Sequence, residues 1–403
     1  MTTQAAAAFG RLKLLFYAYR IISRFYLYLP IVVIYLLHYD YSYLTIGFIL
    51  ASYGFAVMAS KPIAGWFGRR FSRKASLVAG EWLKCLGILG LGLCHDSLTM
   101  LIISQAAIGF GFSFTQGPDS ILLGQWTEKY NEQANYRKIE AVSQSYIFLA
   151  VLVAGIVGSL FAEIDLSLPI LLTVPFNFAA SLFVMGMQEN KSTTNGGGKA
   201  TAATTASGSI WRFFPVISFY AINRAVIMTF FVLVFPLLLF VNAHISVGLF
   251  GIILSLFSIT AFLCGKTMGA LAKKLGDGLL WAIVPIALLA ASLLLTQTWS
   301  WVYYAVPILL GVASGIVRPL CFGYFNKNTG ALNAKVISVS EFVFALLNAS
   351  FLVLVASLFE WDINLALYAI GGFLAAVSVY QLLHGAIISQ RSGSKASKAA
   401  SHG

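Results

Sequence analysis

The chain alternates long apolar runs with short polar turns, and one of these turns occurs twice. The first copy, GWFGRRFSRK, occupies 65–74, and a weaker copy, GALAKKLGDG, occupies 269–278, which is 204 positions later. Each copy lies where one apolar run of about 25 residues ends and the next begins, a length that suits a membrane-spanning helix. A turn repeated after half the chain length predicts a duplicated set of membrane helices.

The overall composition fits a chain that lies within a lipid bilayer. Hydrophobic residues make up 59% of its 403 residues, charged residues make up 10%, and the mean hydropathy is +0.85. A soluble domain carries about 25% charged residues, so the composition excludes that class. Because a spanning helix needs about 20 largely apolar residues, we predict an all-α membrane protein. In chain order, its twelve spans are predicted at 12–37, 43–68, 75–94, 98–123, 138–162, 167–187, 211–240, 246–272, 279–297, 301–326, 335–358 and 364–388.

Polar segments divide the twelve spans into two six-helix bundles, at 1–190 and 211–390. The segment 191–210 between them is rich in Gly, Ser and Thr, which is typical of a flexible cytoplasmic linker. The polar segment 391–403 is expected to be a disordered tail. The first apolar run is too long for a cleavable secretory signal, so we expect span 1 to remain in the mature protein.

Charged residues outside the spans are sorted by side. Nineteen of the 26 basic residues fall in segments on the side of the N-terminus, which we call the basic side. The loops on the opposite, acidic side contain no Lys or Arg, and their acidic residues are Asp40, Asp96, Glu163, Asp165, Glu360 and Asp362. Because positively charged loops stay in the cytoplasm, both termini are predicted to be cytoplasmic. The net charge of +12 then reflects loops that face anionic lipid, and no nucleic-acid partner is needed to explain it.

The repeated turn and the arrangement of the spans resemble a known family. Twelve spans in two similar halves, with a central linker and a Gly- and Arg-containing turn after spans 2 and 8, resemble the major facilitator superfamily. In that family the turn reads Gly, any, Leu, any, Asp, Arg, any, Gly, Arg, Arg or Lys, and Gly65, Arg70, Arg73 and Lys74 match it. The segment 118–145 is also similar to the connection between spans 4 and 5 in a bacterial branch that exports drugs and metabolites. The resemblance covers nearly the whole chain and implies two pseudo-symmetric six-helix bundles.

The two turns depart from the family pattern at one position. The family's aspartate, which caps a helix start and pairs with an arginine, is replaced by Arg69 in the first copy and by Lys273 in the second. We therefore expect the gate formed by these turns to be held by other contacts. The residues assigned to the gating turns are Gly65, Arg69, Arg70, Arg73, Gly269 and Lys273. A simpler interpretation, in which both turns only contact anionic lipid, stays open.

Arginines inside the spans carry the functional prediction. Arg20 and Arg24 lie four residues apart in span 1, and Arg224 of span 7 lies 204 positions after Arg20, which is the offset of the repeated turn. Arg318 adds an arginine from span 10. A charged residue at the bilayer centre costs about 2.5 to 3.5 kcal/mol by insertion scales. These arginines are therefore expected to face a cavity or a protein interior.

The family resemblance implies where the arginines lie. In the resembled fold, spans 1, 4, 7 and 10 line a central cavity that holds the substrate near the midplane. Guanidinium groups bind carboxylate and phosphate through paired hydrogen bonds, so this cavity is predicted to select an anion. The predicted substrate-binding residues, which include two tyrosines at helical spacing on the arginine face of span 1, are Arg20, Arg24, Arg224, Arg318, Tyr17, Tyr28, Gln116 and Asn223. The alternative, in which the arginines pair with acidic residues and hold helices together, stays open.

Asp119 of span 4 and Glu341 of span 11 are the candidate proton-coupling residues. Asp119 is the first choice, because the proton affinity of a carboxyl group depends on burial and on nearby charge. The Gly-Pro pair at 117–118 is expected to break span 4 and to free backbone carbonyls. Glu81 and Lys84 lie three residues apart in span 3 and are expected to pair with each other.

These residues favour transport over catalysis. The leading hypothesis is a proton-coupled secondary transporter that moves an anionic small metabolite, such as a polycarboxylate siderophore, by alternating access. It would act as a monomer in a bacterial inner membrane. A multidrug efflux antiporter for amphipathic compounds and a membrane-embedded sensor without flux are the alternatives. The sequence has no nucleotide-binding loop and no catalytic grouping of side chains, so neither a cofactor nor an enzyme activity is expected.

Overall fold

The computed structural model describes residues 3–132, 135–189, 210–297, 299–329 and 332–400, and every regular element in these ranges is helical. Eleven helices within them are long and apolar enough to cross a membrane. The predicted linker at 191–210 lies outside the described residues except for its last position. By predicted span, the helices are Thr3–Ile22 and Val32–His38 (1), Tyr43–Arg70 (2), Arg73–Leu93 (3), Leu98–Thr115 and Pro118–Lys129 (4), Tyr136–Ala162 (5), Leu168–Met185 (6), Phe214–Thr229 with further helical turns Phe230–Val234, Phe235–Leu237 and Leu238–Asn242 (7), Val247–Leu295 (8 and 9), Val302–Asn328 (10), Asn333–Trp361 (11) and Ile363–Ala400 (12).

Span 1 is broken, so the prediction of one continuous helix at 12–37 is wrong. Its first helix ends at Ile22 and the second begins at Val32. Pro30, in the segment between them, has no backbone N–H to continue a helix. The N–H of Leu27 instead donates to the Thr173 hydroxyl of span 6, at 3.2 Å. Irregular backbone at membrane depth is tolerated where neighbouring helices satisfy it in this way.

Three other boundaries are set by local backbone chemistry. Span 4 breaks at Gly117, where φ is 112°, which confirms the predicted interruption. Spans 8 and 9 join through a kink at Gly276, where φ is 74°, a region that favours glycine. The helix of span 12 continues to Ala400, so the boundary of the predicted disordered tail is corrected. The segment 391–400 contains no proline, and its alanines and lysines suit the C-terminal end of a helix.

The two halves pack against each other near the acidic side, span 2 on span 11 and span 5 on span 8. Two glycines at equivalent positions of the repeat, Gly47 and Gly251, allow this close approach. A Cβ atom at Gly47 would lie 2.5 Å from the Cβ of Ala356, and one at Gly251 would lie 2.9 Å from the carbonyl oxygen of Gly155. Neither distance is possible between real atoms without a shift, so any side chain here would push the halves apart.

Two hydrogen bonds between the halves lie beside these glycines. The N–H of Gly248, at the start of span 8, donates to the Glu163 carboxylate at 3.0 Å. The N–H of Leu44, at the start of span 2, donates to the Glu360 carboxylate at 3.2 Å. Leu44 and Gly248 are also 204 positions apart, so each half supplies one carboxylate and one helix start. A carboxylate is favourable at a helix N-terminus because it meets free N–H groups and the positive end of the helix dipole.

Replacing Gly47 and Gly251 by leucine is expected to open the acidic side. Leucine suits a helix better than glycine, so any loss of contact between the halves would come from the added side chains. Spin labels on the exposed residues Asp40 and Trp361 should report a longer distance between spans 2 and 11.

The matched control for these variants is Gly372→Leu, because a Cβ at Gly372 meets no atom within 4 Å. This variant should leave the distance between the labels unchanged. An unchanged distance in folded Gly47→Leu and Gly251→Leu protein would contradict the role of glycine in this contact.

Candidate functional site

Arg20 lies at the centre of a buried polar cluster in the first half. Its guanidinium group forms ion pairs with Asp119 of span 4, at 2.9 Å, and with Glu140 of span 5, at 2.8 Å. The same group donates to the hydroxyls of Ser143, at 2.7 Å, and Ser120, at 2.8 Å. Its Nε donates to Asp119 at 3.0 Å. These contacts join the end of the first helix of span 1 to spans 4 and 5.

Arg20 has no N–H group left for a substrate in this conformation. A guanidinium group has five N–H donors, and the contacts with two carboxylates and two hydroxyls engage all of them. The residue is only 4% exposed. Asp119 is similarly occupied, because its other oxygen accepts the N–H groups of Gly117, at 3.1 Å, and Ser120, at 2.8 Å. The geometry therefore favours the alternative in which Arg20 and Asp119 hold helices together.

Arg24 differs from Arg20 because it forms no ion pair with any described residue. Its guanidinium group lies 4.7 Å from the ring centroid of Phe112 and donates one hydrogen bond, 3.3 Å long, to the Tyr26 hydroxyl. Tyr26 lines a pocket between the two halves, where Phe231 and Ser258 contribute from the second half. Arg24 is thus a cation with unused donors beside the boundary of the halves.

Glu341 of span 11 is the centre of the polar cluster in the second half. Arg224 donates to both of its oxygens, at 2.9 and 2.7 Å, and the Tyr220 hydroxyl donates to it at 2.7 Å. Arg318 lies farther away, with 3.8 Å between the closest charged atoms, and is 42% exposed on its side chain. Arg224 also donates to the Tyr220 hydroxyl and lies over the Phe344 ring, 4.1 Å from its centroid. Glu341 therefore has one tightly bound and one loosely bound arginine.

The two clusters are related by the repeat. Arg20 lies over the ring of Phe16 and pairs with an acid on span 5, whereas Arg224 lies over the ring of Tyr220 and pairs with an acid on span 11. The aromatic positions are 204 residues apart, as the arginines are. Duplication has thus kept one arginine, one ring and one carboxylate in each half.

Residues of span 2 connect the clusters. The charge of Lys61 acts on both Glu341 and Arg224 in the opposite half. Tyr53, about two helical turns closer to the acidic side, lies within electrostatic range of both Arg24 and Arg224. Lys61 of the first half therefore belongs to the group of charges around Glu341, and Tyr53 lies near both this group and Arg24.

The remaining predicted binding residues are dispersed. Tyr17 packs on Tyr146 of span 5, with 5.5 Å between ring centroids. Gln116 is exposed at the break in span 4. Tyr28 lies beyond the end of the first helix and is 5% exposed, so the predicted polar stripe from Tyr17 to Tyr28 does not exist as one helix face.

Asn223 lies apart from the arginine clusters. Its side-chain amide donates to the Phe219 carbonyl, at 2.7 Å, and to the Gln381 side chain of span 12, at 3.1 Å. It is 2% exposed. Consecutive residues on a helix point about 100° apart, so Asn223 faces span 12 while Arg224 faces span 11.

At the first gating turn, Glu189 supplies the carboxylate that the turn itself lacks. It accepts the backbone N–H of Arg73 at 2.7 Å and that of Lys74 at 3.4 Å, which caps the start of span 3. The Lys74 ammonium group donates to the carbonyls of Met185, at 2.6 Å, and Met187, at 3.1 Å. The turn is thus joined to the end of span 6.

The other gating residues make fewer contacts. Arg69 and Arg70 are exposed, and Gly65 would place a Cβ 3.5 Å from the Arg69 side chain. In the second turn, Lys273 is exposed and a Cβ at Gly269 meets no atom within 4 Å. These few contacts do not test the gating role of the two turns, which stays a prediction.

The family of the chain is decided by its sequence match over most of its length. Residues 16–351 match the sequence model of the Major Facilitator Superfamily. The chain belongs to this superfamily of membrane transporters. The sugar transport protein 12 of Arabidopsis thaliana is 30% identical to this superfamily member over 113 residues, which are 27% of the chain and 21% of that relative.

Solved structures of other transporters share the fold of this superfamily member. The nucleoside transporter NupG superposes with a TM-score of 0.75 and 12% identity, covering 93% of this chain and 98% of that one. A D-xylose-proton symporter gives a TM-score of 0.70 at 11% identity, covering 94% and 97%. The peptide transporter POT in complex with sulfate gives 0.69 at 14% identity, covering 94% and 95%. At these identities the likeness concerns the fold alone.

Sequence reasoning missed several residues of the site. Lys61 lies near the end of its span, a position that favours an interfacial role, and no sequence signal relates it to Glu341. Tyr53 and Tyr26 are two tyrosines among 18. Glu140 could have been found from the repeat. The offset of 204 relates Glu341 to position 137 of span 5, and Glu140 lies within one helical turn of that position.

Proposed function

We propose that the protein is a proton-coupled secondary transporter for an anionic small metabolite, with polycarboxylates as the substrate class. The observation that carries the proposal is Arg24, a cation beside the boundary of the halves that has unused N–H donors and no described ion-pair partner. Guanidinium groups bind carboxylates through two parallel hydrogen bonds. A carboxylate of the substrate would supply the partner that the protein does not.

The balance of charge around Glu341 supports an anion over a cation. Lys61, Arg224 and Arg318 surround one acid, Glu341, and Arg24 adds a further positive charge. Excess positive charge attracts anions and repels cationic drugs. Relatives of this fold carry nucleosides, xylose and peptides, so the fold does not decide the substrate.

Proton coupling in this proposal uses Glu341. A substrate carboxylate that binds Arg318 or Arg224 removes positive charge from Glu341, and the protonated form of Glu341 is then favoured. Anion and proton therefore bind with positive coupling, which by linkage is reciprocal. Asp119 is the second candidate, since both of its oxygens already accept hydrogen bonds from Arg20 and from two backbone N–H groups.

Transport by the purified protein tests the substrate class. In proteoliposomes loaded with unlabelled citrate, we expect counterflow of radiolabelled citrate, or of another member of a panel of di- and tricarboxylates. Flux of cationic dyes with no flux of any panel anion would instead establish the efflux alternative. Binding without flux would establish the sensor alternative.

Replacing Glu341 by glutamine is expected to separate exchange from accumulation. Glutamine keeps hydrogen bonds to Arg224 and Tyr220 but cannot carry a proton. Counterflow of the panel anion should persist, whereas accumulation driven by a pH gradient should fall to the level of empty liposomes.

The matched control is Glu128→Gln, which alters an exposed glutamate outside the predicted site and should accumulate the anion normally. Asp119→Asn is measured in parallel. If it uncouples transport while Glu341→Gln accumulates the anion normally, then Asp119 and not Glu341 carries the proton.

A further inference from the structure

A buried ion pair in span 3 has no part in the function described so far. Glu81 and Lys84 lie one turn apart, their charged atoms are 2.6 Å from each other, and both side chains are 0% exposed. This confirms the pairing that the sequence predicts. A buried ion pair is often no more stabilising than apolar side chains of the same volume, because both ions lose their water. Its presence in an otherwise apolar helix therefore needs a cause other than stability.

Among the described residues, the other hydrogen-bond partners of this pair lie in span 1, at its break or in the helical turn before it. Lys84 donates to the carbonyl oxygen of Ser23, at 3.3 Å, and to the Ser23 hydroxyl, at 3.0 Å. Glu81 accepts the hydroxyl groups of Ser23, at 2.7 Å, and Tyr19, at 3.0 Å. The Ser23 hydroxyl thus accepts from one ion and donates to the other. Both ions bind the first residue after the helix that ends at Ile22.

The next residue in the chain is Arg24. Its hydrogen-bond partner, the Tyr26 hydroxyl, also accepts from Lys84 at 3.4 Å. The Lys84 ammonium group lies 5.7 Å from the centroid of the Tyr26 ring as well. Contacts of the ion pair therefore lie on both sides of Arg24 in the chain, on Ser23 and on Tyr26.

We propose that Glu81 and Lys84 are positioning residues that hold the break in span 1 so that Arg24 lies beside Tyr26 and Phe112, at the boundary of the halves. The carbonyl of Ser23 lies where the helix ends, and Lys84 supplies a donor for it. Span 3 thereby fixes the direction of the Arg24 side chain without contacting a substrate. This inference rests on the proposed role of Arg24 as the anion ligand.

The direction of residue 24 is tested without any substrate. In a variant lacking the four native cysteines, Arg24→Cys is labelled with a charged methanethiosulfonate reagent, alone and together with Ser23→Ala or Lys84→Met. Loss of these hydrogen bonds should change the labelling rate of the cysteine at position 24 by at least about fivefold.

Lys61→Cys is the control, and its labelling rate should not change. Ser23→Ala removes only the hydroxyl between the two ions and leaves Glu81 and Lys84 in place, so it serves even if Lys84→Met does not fold. Equal labelling rates at position 24 in all backgrounds would overturn the inference.

A double-mutant cycle, measured by transport, tests whether Ser23 affects substrate binding through Arg24. Ser23→Ala should raise the KM for citrate counterflow about fivefold and change kcat by less than about twofold. In an Arg24→Gln background, Ser23→Ala should have almost no further effect on KM, because coupled residues are not additive. Fully additive effects would contradict the inference. If Arg24→Gln itself leaves KM unchanged, the proposed function fails, and the labelling result alone then decides the positioning role.

Discussion

Replacing Arg24 by glutamine is expected to raise the KM for the transported anion by roughly 10- to 100-fold. A hydrogen bond to a charged group contributes about 1.5 to 3 kcal/mol, and each 1.4 kcal/mol is about a factor of ten in affinity. Arg24 has no carboxylate partner among the described residues, so its removal leaves no buried acid unpaired. Expression and thermal stability should therefore stay close to those of the unaltered protein. Counterflow over a range of anion concentrations in proteoliposomes gives the KM.

Two variants distinguish this result from a general loss of positive charge. Arg24→Lys keeps the charge but lacks the planar pair of donors, so it should recover only part of the affinity. Arg212→Gln removes an exposed arginine outside the predicted binding site and gating turns and should leave the KM unchanged. An unaltered KM in folded Arg24→Gln protein would remove the observation that carries the proposed function.

Replacing Arg20 by methionine is expected to destabilise the protein by about 3 to 5 kcal/mol, the typical effect of removing one partner from a buried ion pair. Asp119 and Glu140 would lose their cation, and Ser120 and Ser143 would each lose a donor. Chemical denaturation in detergent micelles measures the free energy of unfolding. Arg20 and Arg24 are thus expected to have opposite phenotypes, one in stability and one in transport.

The triple variant Arg20→Met, Asp119→Asn and Glu140→Gln is the control for this prediction. It removes the charges together, so much of the lost stability should return. Arg24→Met, which breaks no ion pair with a described residue, should have the stability of the unaltered protein within about 1 kcal/mol. If Arg20→Met is as stable as Arg24→Met, the structural role of Arg20 is wrong.

The fold could be predicted from the sequence because membrane helices are continuous apolar runs. Each backbone N–H within the bilayer must be paired, so the length and polarity of a run define most spans directly. The offset of 204 positions also predicts correctly that Arg20 and Arg224 occupy equivalent places. Spacing along a helix further predicts that Glu81 and Lys84 can meet.

Pro30 is visible in the sequence, but the extent of the break in span 1 could not be predicted, because the groups that satisfy its backbone lie on other spans. Thr173 of span 6 and Lys84 of span 3 satisfy the backbone between the two helices, and no pattern within span 1 reveals them. For the same reason, the helical spacing of Arg20 and Arg24 led to the prediction that both bind the substrate. The acids that distinguish the two arginines belong to spans 4 and 5.

The contacts at the acidic side have a consequence for how the two halves arose. Glu163 and Glu360 each cross to the other half, and the helix starts that they cap, at Gly248 and Leu44, occupy equivalent positions. Ser42 and Ser246 cap these same two helices and are equivalent as well. Each half thus caps a helix of the other half with a carboxylate. Such reciprocal contacts are the isologous geometry of a twofold dimer. The interface between the halves thus has the form of self-association by a single six-helix ancestor.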